Sequence, residues 1–204
     1  MTLELYIDEL SPPCRSVLLF CEANVILYEK NILNIVKGRS NKVFWCLKGS
    51  TCGDTWSETF YQINPQNKVP AIKDILFCLG ESVAILKYLA AKYNTVDHWY
   101  PQDLQKRARV DEYLAWHHGN TRKDVAFLYW TEVVIPIVSG TEINQQRLEN
   151  AVTAFKATLD RVENTYSIFL KDQKFLCGDD ITLADIMAVP EVHFSSSFYR
   201  INSV

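Results

Sequence analysis

Short apolar runs of strand length alternate with one helical pattern at the start of this chain. LELYI (Leu3–Ile7) and ILYEKNI (Ile26–Ile32) predict strands, because β-branched and aromatic residues alternate in them with polar ones. The segment between them, SPPCRSVLLFCEAN, predicts a helix with Ser11 as its N-cap and prolines in its first turn. This order of elements is a β-α-β unit.

A second group of elements follows an irregular region. VPAIK and LFCL predict two short strands joined by an abrupt turn, and the residues from Ser82 to Tyr93 show apolar positions at helical spacing. A β-α-β unit followed by β-β-α predicts a small mixed sheet with helices on its faces.

The second half of the chain has a different pattern, in which no strand is convincing. Helical periodicity predicts three helices there: Asp103–Trp130, Asn144–Leu170 and Thr182–Val192. Thr182 and Asp185 form a capping-box-like pair at the start of the last helix. NTVDHWYP has the composition of a linker, so we expect an α/β domain at residues 1–94 and an all-α domain at residues 102–204.

Composition and charge narrow the classes of partner. The chain has 204 residues, of which 48% are hydrophobic and 12% aromatic, enough to form a folded core. Its net charge of −3 and its scattered Lys and Arg argue against nucleic-acid binding. Acidic residues interrupt the N-terminal apolar alternation and no apolar run approaches membrane-spanning length, so we expect a cytoplasmic protein without a membrane segment.

Cysteine and histidine spacing does not indicate a metal site. The six cysteines form no CxxC pair, and the four histidines lack ligand spacing with cysteine or carboxylate. Free thiols in a reducing compartment are the expected state.

The stretch NKVPAIKDILFCLGESVAIL carries two candidate binding features. Pro70 at the first residue of a strand is usually an edge or turn device. In a thioredoxin-like layout, however, a proline entering the third strand is commonly cis, and Val69 before it would then pair with an extended peptide ligand. Glu81 and Ser82 at the helix start fit simple capping, but they would also suit the carboxylate and ammonium of an amino-acid-like ligand.

Ser11 is the candidate for chemistry. As an N-cap it has an ordinary structural role, yet its hydroxyl also lies where a helix N-terminus would stabilise a thiolate. A third interpretation is thiol–disulfide exchange, since SPPC has the spacing of a CxxC motif with serine in the first position. That chemistry normally begins with an exposed thiolate at the first position, whereas Cys14 stands alone at the second.

An ordered set of segments carries a family resemblance. The segments are LELYI with SPPCR, NILNIVKG, INPQNKVPAIKD, ESVAILKYL, DHWYPQDLQKRARVDEYLAW and TLADIMAV, and together they resemble a theta-class cytosolic glutathione transferase. The resemblance implies a thioredoxin-like N-terminal domain, an all-α C-terminal domain and a cytosolic homodimer. It also implies attack by the glutathione thiolate on a small electrophile, with glutathione as co-substrate and no further cofactor.

The resemblance assigns roles by position. Ser11 would activate the thiol, and Arg122 would lie near the second substrate. The remaining candidates would hold glutathione: Val69 its cysteinyl backbone, Lys68 with Ser40 and Asn41 its glycyl end, and Glu81 with Ser82 its γ-glutamyl end.

The chain departs from the family pattern at several positions. Ser40 and Asn41 replace a His-Lys pair, Gly119 replaces an aspartate, and Ile75 stands where a hairpin glycine is usual. Residues 43–57 have no counterpart in the family pattern and would form an insertion beside the glutathione pocket.

The resemblance also implies further helices after PEVHF, so the C-terminal domain is expected to be incomplete. Two functions follow from these departures: an active transferase, or a non-catalytic or weakly glutathione-binding isoform of the same fold.

Overall fold

The computed structural model describes residues 2–34, 55, 57–129, 131, 135, 142 and 144–201. Ser40, Asn41 and most of the predicted insertion at 43–57 lie outside these residues. The strands are β1 (Leu3–Ile7), β2 (Tyr28–Ile32), β3 (Ala71–Asp74) and β4 (Phe77–Gly80). The α-helices are α1 (Pro12–Ala23), α2 (Glu58–Tyr61), α3 (Ser82–Lys92), α4 (Leu104–Gly119), α5 (Thr121–Tyr129), α6 (Gln145–Phe169) and α7 (Leu183–Ile201).

The four described strands form one mixed sheet in the order β2-β1-β3-β4. β1 runs parallel to β2 and antiparallel to β3, and β3 and β4 form an antiparallel hairpin. Burial alternates along β1, so Leu3, Leu5 and Ile7 face the core. The predicted α/β thioredoxin-like domain followed by a helical domain is therefore confirmed.

A continuous apolar core joins the sheet to the helical domain. Helix α1 lies between the sheet and α7, so its buried side chains are shared by both halves of the chain. The core draws on the sheet, on α1, α3, α4 and α7, and on Trp99 of the connecting segment. Ser11 therefore lies at the start of a helix whose buried side chains belong to this close-packed core.

The prediction of one continuous helix over Asp103–Trp130 is wrong. The chain leaves helical geometry at Asn120 (φ −115°, ψ −94°), so α4 and α5 are separate helices. Glycine and asparagine are weak helix formers, and the Asn120 side-chain amide donates to the carbonyl of Trp116 at 2.8 Å. The break orients the first turn of α5 independently of α4.

The last helix extends beyond the predicted Thr182–Val192. Helix α7 continues through Pro190 to Ile201. A proline inside a helix removes one backbone hydrogen bond, but Leu183–Ala188 are buried in the core, and that packing stabilises the helix.

The predicted capping pair at the start of α7 is confirmed. The Asp185 carboxylate accepts from the Thr182 amide at 2.8 Å and from its hydroxyl at 3.1 Å, and the Ala184 amide donates to the Thr182 hydroxyl oxygen at 3.2 Å. The other Asp185 oxygen accepts from the Leu176 amide at 3.0 Å, which ties the preceding loop to the helix.

In the part of the chain that the structure describes, no helix combines the length and apolar character needed to cross a bilayer.

Candidate functional site

Ser11 occupies the N-cap of α1, directly after the turn that leaves β1. Its amide donates to the Asp8 carbonyl at 3.0 Å, and its own carbonyl accepts from the Arg15 amide at 3.1 Å. The Ser11 side chain makes no capping hydrogen bond to the helix. Pro12 and Pro13 supply no N–H groups in the first turn. The hydroxyl is therefore not committed to the role of a side-chain cap.

Cys14 is buried beneath Ser11. Burial raises the pKa of its thiol to about 11, against the opposing effects of hydrogen bonds from the Ser11 side chain and the Asp8 backbone. The thiol is therefore neutral near pH 7 and fully enclosed. A redox nucleophile needs an accessible thiolate, so this environment disfavours thiol–disulfide exchange at SPPC.

The loop before β3 carries Lys68 and Val69. The Val69–Pro70 peptide bond is cis. Lys68 is exposed, Val69 is half-buried and packs against the core, and Pro70 is buried. The loop thus presents Lys68 to solvent while Val69 and Pro70 anchor it to the domain.

Glu81 and Ser82 follow the last residue of β4 and begin α3. Glu81 has a positive φ of 66°, which is unusual for a residue other than glycine, and its side chain makes no capping bond. Glu81 is exposed, whereas Ser82 is buried. Like Ser11, Glu81 occupies a helix N-cap without using its side chain to cap the helix.

Strand pairing brings these segments to one end of the sheet. Tyr6 of β1 pairs with Ala71 of β3, and Ala71 pairs with Gly80 of β4. The chain reaches Ser11 shortly after Tyr6, it enters Ala71 from Val69 and Pro70, and it leaves Gly80 into Glu81 and Ser82. Three segments therefore meet at the same end of the sheet, and together they carry the predicted residues Ser11, Lys68, Val69, Glu81 and Ser82.

Arg122 lies in the first turn of α5 and forms a largely buried ion pair. Its Nη1 lies 2.6 Å from Oε1 of Glu191, whose side chain is only 2% exposed. Burial raises the pKa of Glu191, and the Arg122 charge and hydrogen bond act in the opposite direction. The Arg122 charge also favours the thiolate form of Cys14, so this guanidinium acts electrostatically on the Ser11 end of α1.

Gly119, where the resemblance led us to expect an aspartate, ends α4. A side-chain carbon added there would meet no heavy atom within 4 Å. The position consequently has room for a larger residue.

Two residues that the sequence interpretation missed contribute to this region. Glu191 was overlooked although a single carboxylate on the apolar face of a helix signals a buried partner. Asn64 was overlooked although asparagine before proline is a turn signal in INPQNKVP. Among the residues that the structure describes, no group of three or more His, Cys, Asp or Glu side chains could hold a metal ion.

Comparison with known proteins gives two family matches and several close relatives. The family description "Glutathione S-transferase, N-terminal domain" matches residues 5–97, and "Glutathione S-transferase, C-terminal domain" matches residues 125–199. Glutathione S-transferase theta-1 of Homo sapiens is 43% identical over 192 residues, which cover 94% of this chain and 72% of that protein. Glutathione S-transferase theta-2 of Mus musculus is 41% identical, with 94% and 71% covered.

Solved structures show the same likeness. Human glutathione transferase theta-2 in complex with glutathione and an unknown ligand superposes with a TM-score of 0.81 at 39% identity, covering 96% of this chain and 73% of that one. A human theta-class glutathione transferase in complex with the glutathione conjugate of 1-menaphthyl sulfate gives a TM-score of 0.80 at 39% identity, covering 95% and 71%.

Proposed function

The chain belongs to the theta class of the glutathione S-transferase family, and from this premise we propose that it conjugates the thiolate of glutathione to small electrophiles. Glutathione is the co-substrate, and no other cofactor takes part. The observation that carries the proposal is the Ser11 hydroxyl, which stands at the N-terminus of α1 without capping it.

Ser11 stabilises the thiolate in this mechanism. Lowering an ordinary thiol pKa of about 8.5 by two units requires roughly 2.7 kcal/mol, which a hydrogen bond to a charged group and a helix terminus can supply together. Pro12 and Pro13 offer no N–H groups, so the Ser11 O–H supplies a larger share. The Ser11 side chain also hydrogen-bonds the buried Cys14 thiol, which is neutral near pH 7 and therefore competes only weakly with an incoming thiolate for the Ser11 proton.

The chemical step is a nucleophilic displacement or addition. The thiol proton passes to solvent, and the sulfur lone pair forms a C–S bond to the electrophilic carbon. In a displacement a leaving group departs with the electrons of the bond it breaks, and in an addition the electrons of the electrophile's π bond take up a proton from solvent. The enzyme contributes the lowered thiol pKa and the placement of the two substrates.

Glutathione lies across the three segments that meet at this end of the sheet. Val69 pairs with the cysteinyl backbone, as an extended peptide adds to a strand. Lys68 attracts the glycyl carboxylate, and Ser40 and Asn41 add uncharged hydrogen bonds to it. Glu81 pairs with the γ-glutamyl ammonium, while Ser82 and the N-terminus of α3 hold its carboxylate.

Arg122 is our candidate at the second-substrate site. The ion pair with Glu191 fixes the guanidinium, and its side chain remains 27% exposed. An arginine held in this way can attract an electrophile with an anionic leaving group. The human relative found with the glutathione conjugate of 1-menaphthyl sulfate is consistent with such a substrate class.

We also propose a cytosolic homodimer. The hairpin residues Leu76 (93% exposed) and Phe77 (48%) and the helix residue Leu104 (78%) leave apolar surface near α3 and α4. Cys14, Cys21, Cys78 and Cys177 are free thiols, as is usual in a reducing compartment. Analytical ultracentrifugation should show a dimer at micromolar concentration, and a monomer alone would overturn this assembly.

A non-catalytic or weakly binding relative is the second candidate. Ser40 and Asn41 provide no positive charge for the glycyl carboxylate, and Gly119 provides no carboxylate at the end of α4. This candidate predicts glutathione binding without measurable turnover.

The test compares four proteins that all span residues 1–204: the unaltered chain, Ser11→Ala, Ser11→Thr and the control Ser16→Ala. Ser16 lies in the same helix and donates to the Pro12 carbonyl at 3.3 Å, so its replacement removes a hydroxyl without touching Ser11. Isothermal titration with glutathione is combined with turnover of an activated aryl or alkyl halide. We expect Ser11→Ala to lose about a hundredfold in kcat/KM, with Ser11→Thr retaining more and Ser16→Ala near the unaltered value.

The outcomes separate the candidates. Turnover that Ser11→Ala abolishes supports the transferase. Binding without turnover in the unaltered chain supports the second candidate. Equal turnover in Ser11→Ala and the unaltered chain would overturn the role of Ser11, and absence of both binding and turnover would overturn both functions.

A further inference from the structure

The side chain of Asn64 organises the loop that leads to Lys68 and Val69. Asn64 follows α2 and is only 5% exposed. Its Oδ1 accepts from the Gln66 amide at 3.1 Å, and its Nδ2 donates to the Lys68 carbonyl at 2.7 Å. Its backbone carbonyl accepts from the Asn67 amide at 2.9 Å, which closes the turn. Both ends of one amide group therefore fix the backbone just before Val69.

The same side chain packs against the end of β4. A methyl carbon added at Gly80 would lie 3.0 Å from Nδ2 of Asn64, 3.3 Å from its Cγ and 3.4 Å from its Oδ1. Because an added carbon would lie this close to the Asn64 amide, the amide packs directly against the backbone of Gly80. Gly80 directly precedes Glu81, so Asn64 touches both segments that carry the proposed glutathione contacts.

We propose that Asn64 is a positioning residue for glutathione: its side chain sets the spacing between the Lys68–Val69 segment and the Glu81–Ser82 segment. The inference rests on the proposed function and deepens it. A tripeptide that meets partners on two segments binds best when their spacing is fixed beforehand, since otherwise binding must order them. Asn64 makes no contact with glutathione in this scheme and acts through the two backbones.

Asparagine fits this position for a chemical reason. The loop needs one acceptor for the Gln66 amide and one donor for the Lys68 carbonyl on a short side chain. Aspartate has nearly the same shape and keeps the acceptor, but its carboxylate offers no donor. A glycine at position 80 leaves the space that the amide occupies.

The first experiment uses Asn64→Asp, which removes the bond to Lys68 and keeps the bond to Gln66. Loss of the donor leaves the Lys68 carbonyl, which takes part in a part-buried hydrogen bond, without its partner, and this should weaken glutathione binding about tenfold. We expect the glutathione Kd and KM to rise by this factor, with the KM for the electrophile, the pH profile and kcat at saturating glutathione within about twofold of the unaltered chain.

The matched control is Asn24→Asp. Asn24 also donates its Nδ2 to a backbone carbonyl, that of Phe20 at 2.9 Å, but it does so at the C-terminal end of α1. This control should lower the unfolding temperature without changing the glutathione Kd. A purely structural role for Asn64 would give the same result at both positions.

The second experiment is a double-mutant cycle of Asn64→Ala and Gly80→Ala, which approaches the contact from the other side. Gly80→Ala alone should weaken glutathione binding because the new methyl group displaces the amide. In the Asn64→Ala background the same change should have little effect, since the amide is gone. Circular dichroism confirms folding of each variant, and if Asn64→Ala does not fold, Asn64→Asp and Gly80→Ala still test the contact.

Two failures remain distinguishable. If the unaltered chain does not bind glutathione, the proposed function fails and this inference fails with it. If the unaltered chain binds glutathione and both Asn64→Asp and Gly80→Ala bind it equally well, the inference alone is overturned.

Discussion

The two halves of the molecule place their functional groups by different physical means. In the sheet-containing half, non-glycine residues adopt positive φ at five described positions: Val25, Asn67, Ile75, Glu81 and Asn94. Asn67 directly precedes Lys68, and Glu81 is itself a proposed site residue, whereas the described part of the helical half has Asp172 alone. In the helical half, polar side chains are placed by burial between helices, as with the Arg122–Glu191 pair and His117. The first fixes the backbone beside the segments of the proposed glutathione site, and the second makes stability depend on charge and pH.

The comparison predicts different consequences of substitution. A change at a positive-φ residue should act locally, because the backbone there is set by a turn at the surface. A change at a buried charge should act on the whole fold, because the unpaired partner cannot reach water.

Breaking the buried ion pair should have the largest effect. Arg122→Leu leaves the Glu191 carboxylate buried without its partner, which should lower the free energy of unfolding by about 3 kcal/mol at neutral pH. Burial already raises the pKa of Glu191, and loss of the Arg122 charge raises it further. Since protonation removes the buried charge, the loss should be largest above that pKa and should shrink as pH falls. Urea denaturation of Arg122→Leu and the unaltered chain at pH 7.5 and at pH 5 measures the loss in free energy of unfolding at each pH.

The control for the ion pair is Arg109→Leu. Arg109 pairs with Glu112 at 2.7 Å on an exposed face of α4, so its loss should cost far less. Equal effects of the two substitutions would show that burial of the Arg122–Glu191 pair does not distinguish the halves.

The sequence predicted the architecture because its patterns follow local rules. Alternation in LELYI, helical spacing after Glu81 and the capping pair Thr182–Asp185 each reflect neighbours in the chain. The break at Asn120 and the continuation of α7 through Pro190 depend on tertiary packing, which the same rules do not contain.

The site was predicted in part for the same reason. Segments that resemble the family identified Ser11, Val69 and Glu81, and the strand register brings them to one end of the sheet. The roles of those residues stay predictions. Glu191 was missed because its partner, Arg122, is distant in sequence. Asn64 hydrogen-bonds Gln66 and Lys68 nearby, but its contact with Gly80, which links two segments, is also distant in sequence.

His117 should make the helical half sensitive to acid. Burial, with the charge of Arg122 second, lowers the pKa of His117 to about 3. Its Nδ1 lies 3.3 Å from the Tyr113 hydroxyl, and its Nε2 has no partner among the described residues. In the unfolded chain a histidine binds a proton near pH 6.5, so its contribution to stability is complete above that pH and is lost progressively as pH falls toward 3.

The measurement is the free energy of unfolding at pH 7 and pH 5. Between these values the His117 linkage should cost about 2 kcal/mol, and His117→Gln should remove that part of the pH dependence. His118→Gln changes the neighbouring, exposed histidine and should retain it. The assignment to His117 is wrong if both variants keep the full loss.

The β3–β4 hairpin should respond in the opposite direction. Ile75 is the first central residue of its turn and has a φ of 62°, which is costly for a β-branched side chain. Ile75→Gly should therefore raise the free energy of unfolding by about 1 kcal/mol, because glycine adopts this conformation readily. Its side chain is 55% exposed, so little burial is lost.

Leu76→Gly is the control within the same turn. Leu76 is 93% exposed and is not among the described residues with positive φ, so glycine there should only add flexibility to the unfolded chain and lower stability. Thermal unfolding of the two variants should shift in opposite directions. A shift in the same direction would mean that the conformation of Ile75 carries no cost.

The smallest effect separates space from backbone conformation in the helical half. Gly119 and Gly178 both have no heavy atom within 4 Å of an added side-chain carbon, but Gly178 has a φ of 150° and Gly119 is the last residue of α4. Gly119→Ala should stabilise the fold by about 0.5 kcal/mol, because alanine favours the helix and restricts the unfolded chain. Gly178→Ala should destabilise it despite the equal space. Chemical denaturation measures the change in free energy of unfolding for both variants. Changes of opposite sign would show that backbone conformation also affects stability in the helical half, at the loop before α7. The contrast between the halves would then hold only for the proposed ligand-binding residues and the buried charged residues.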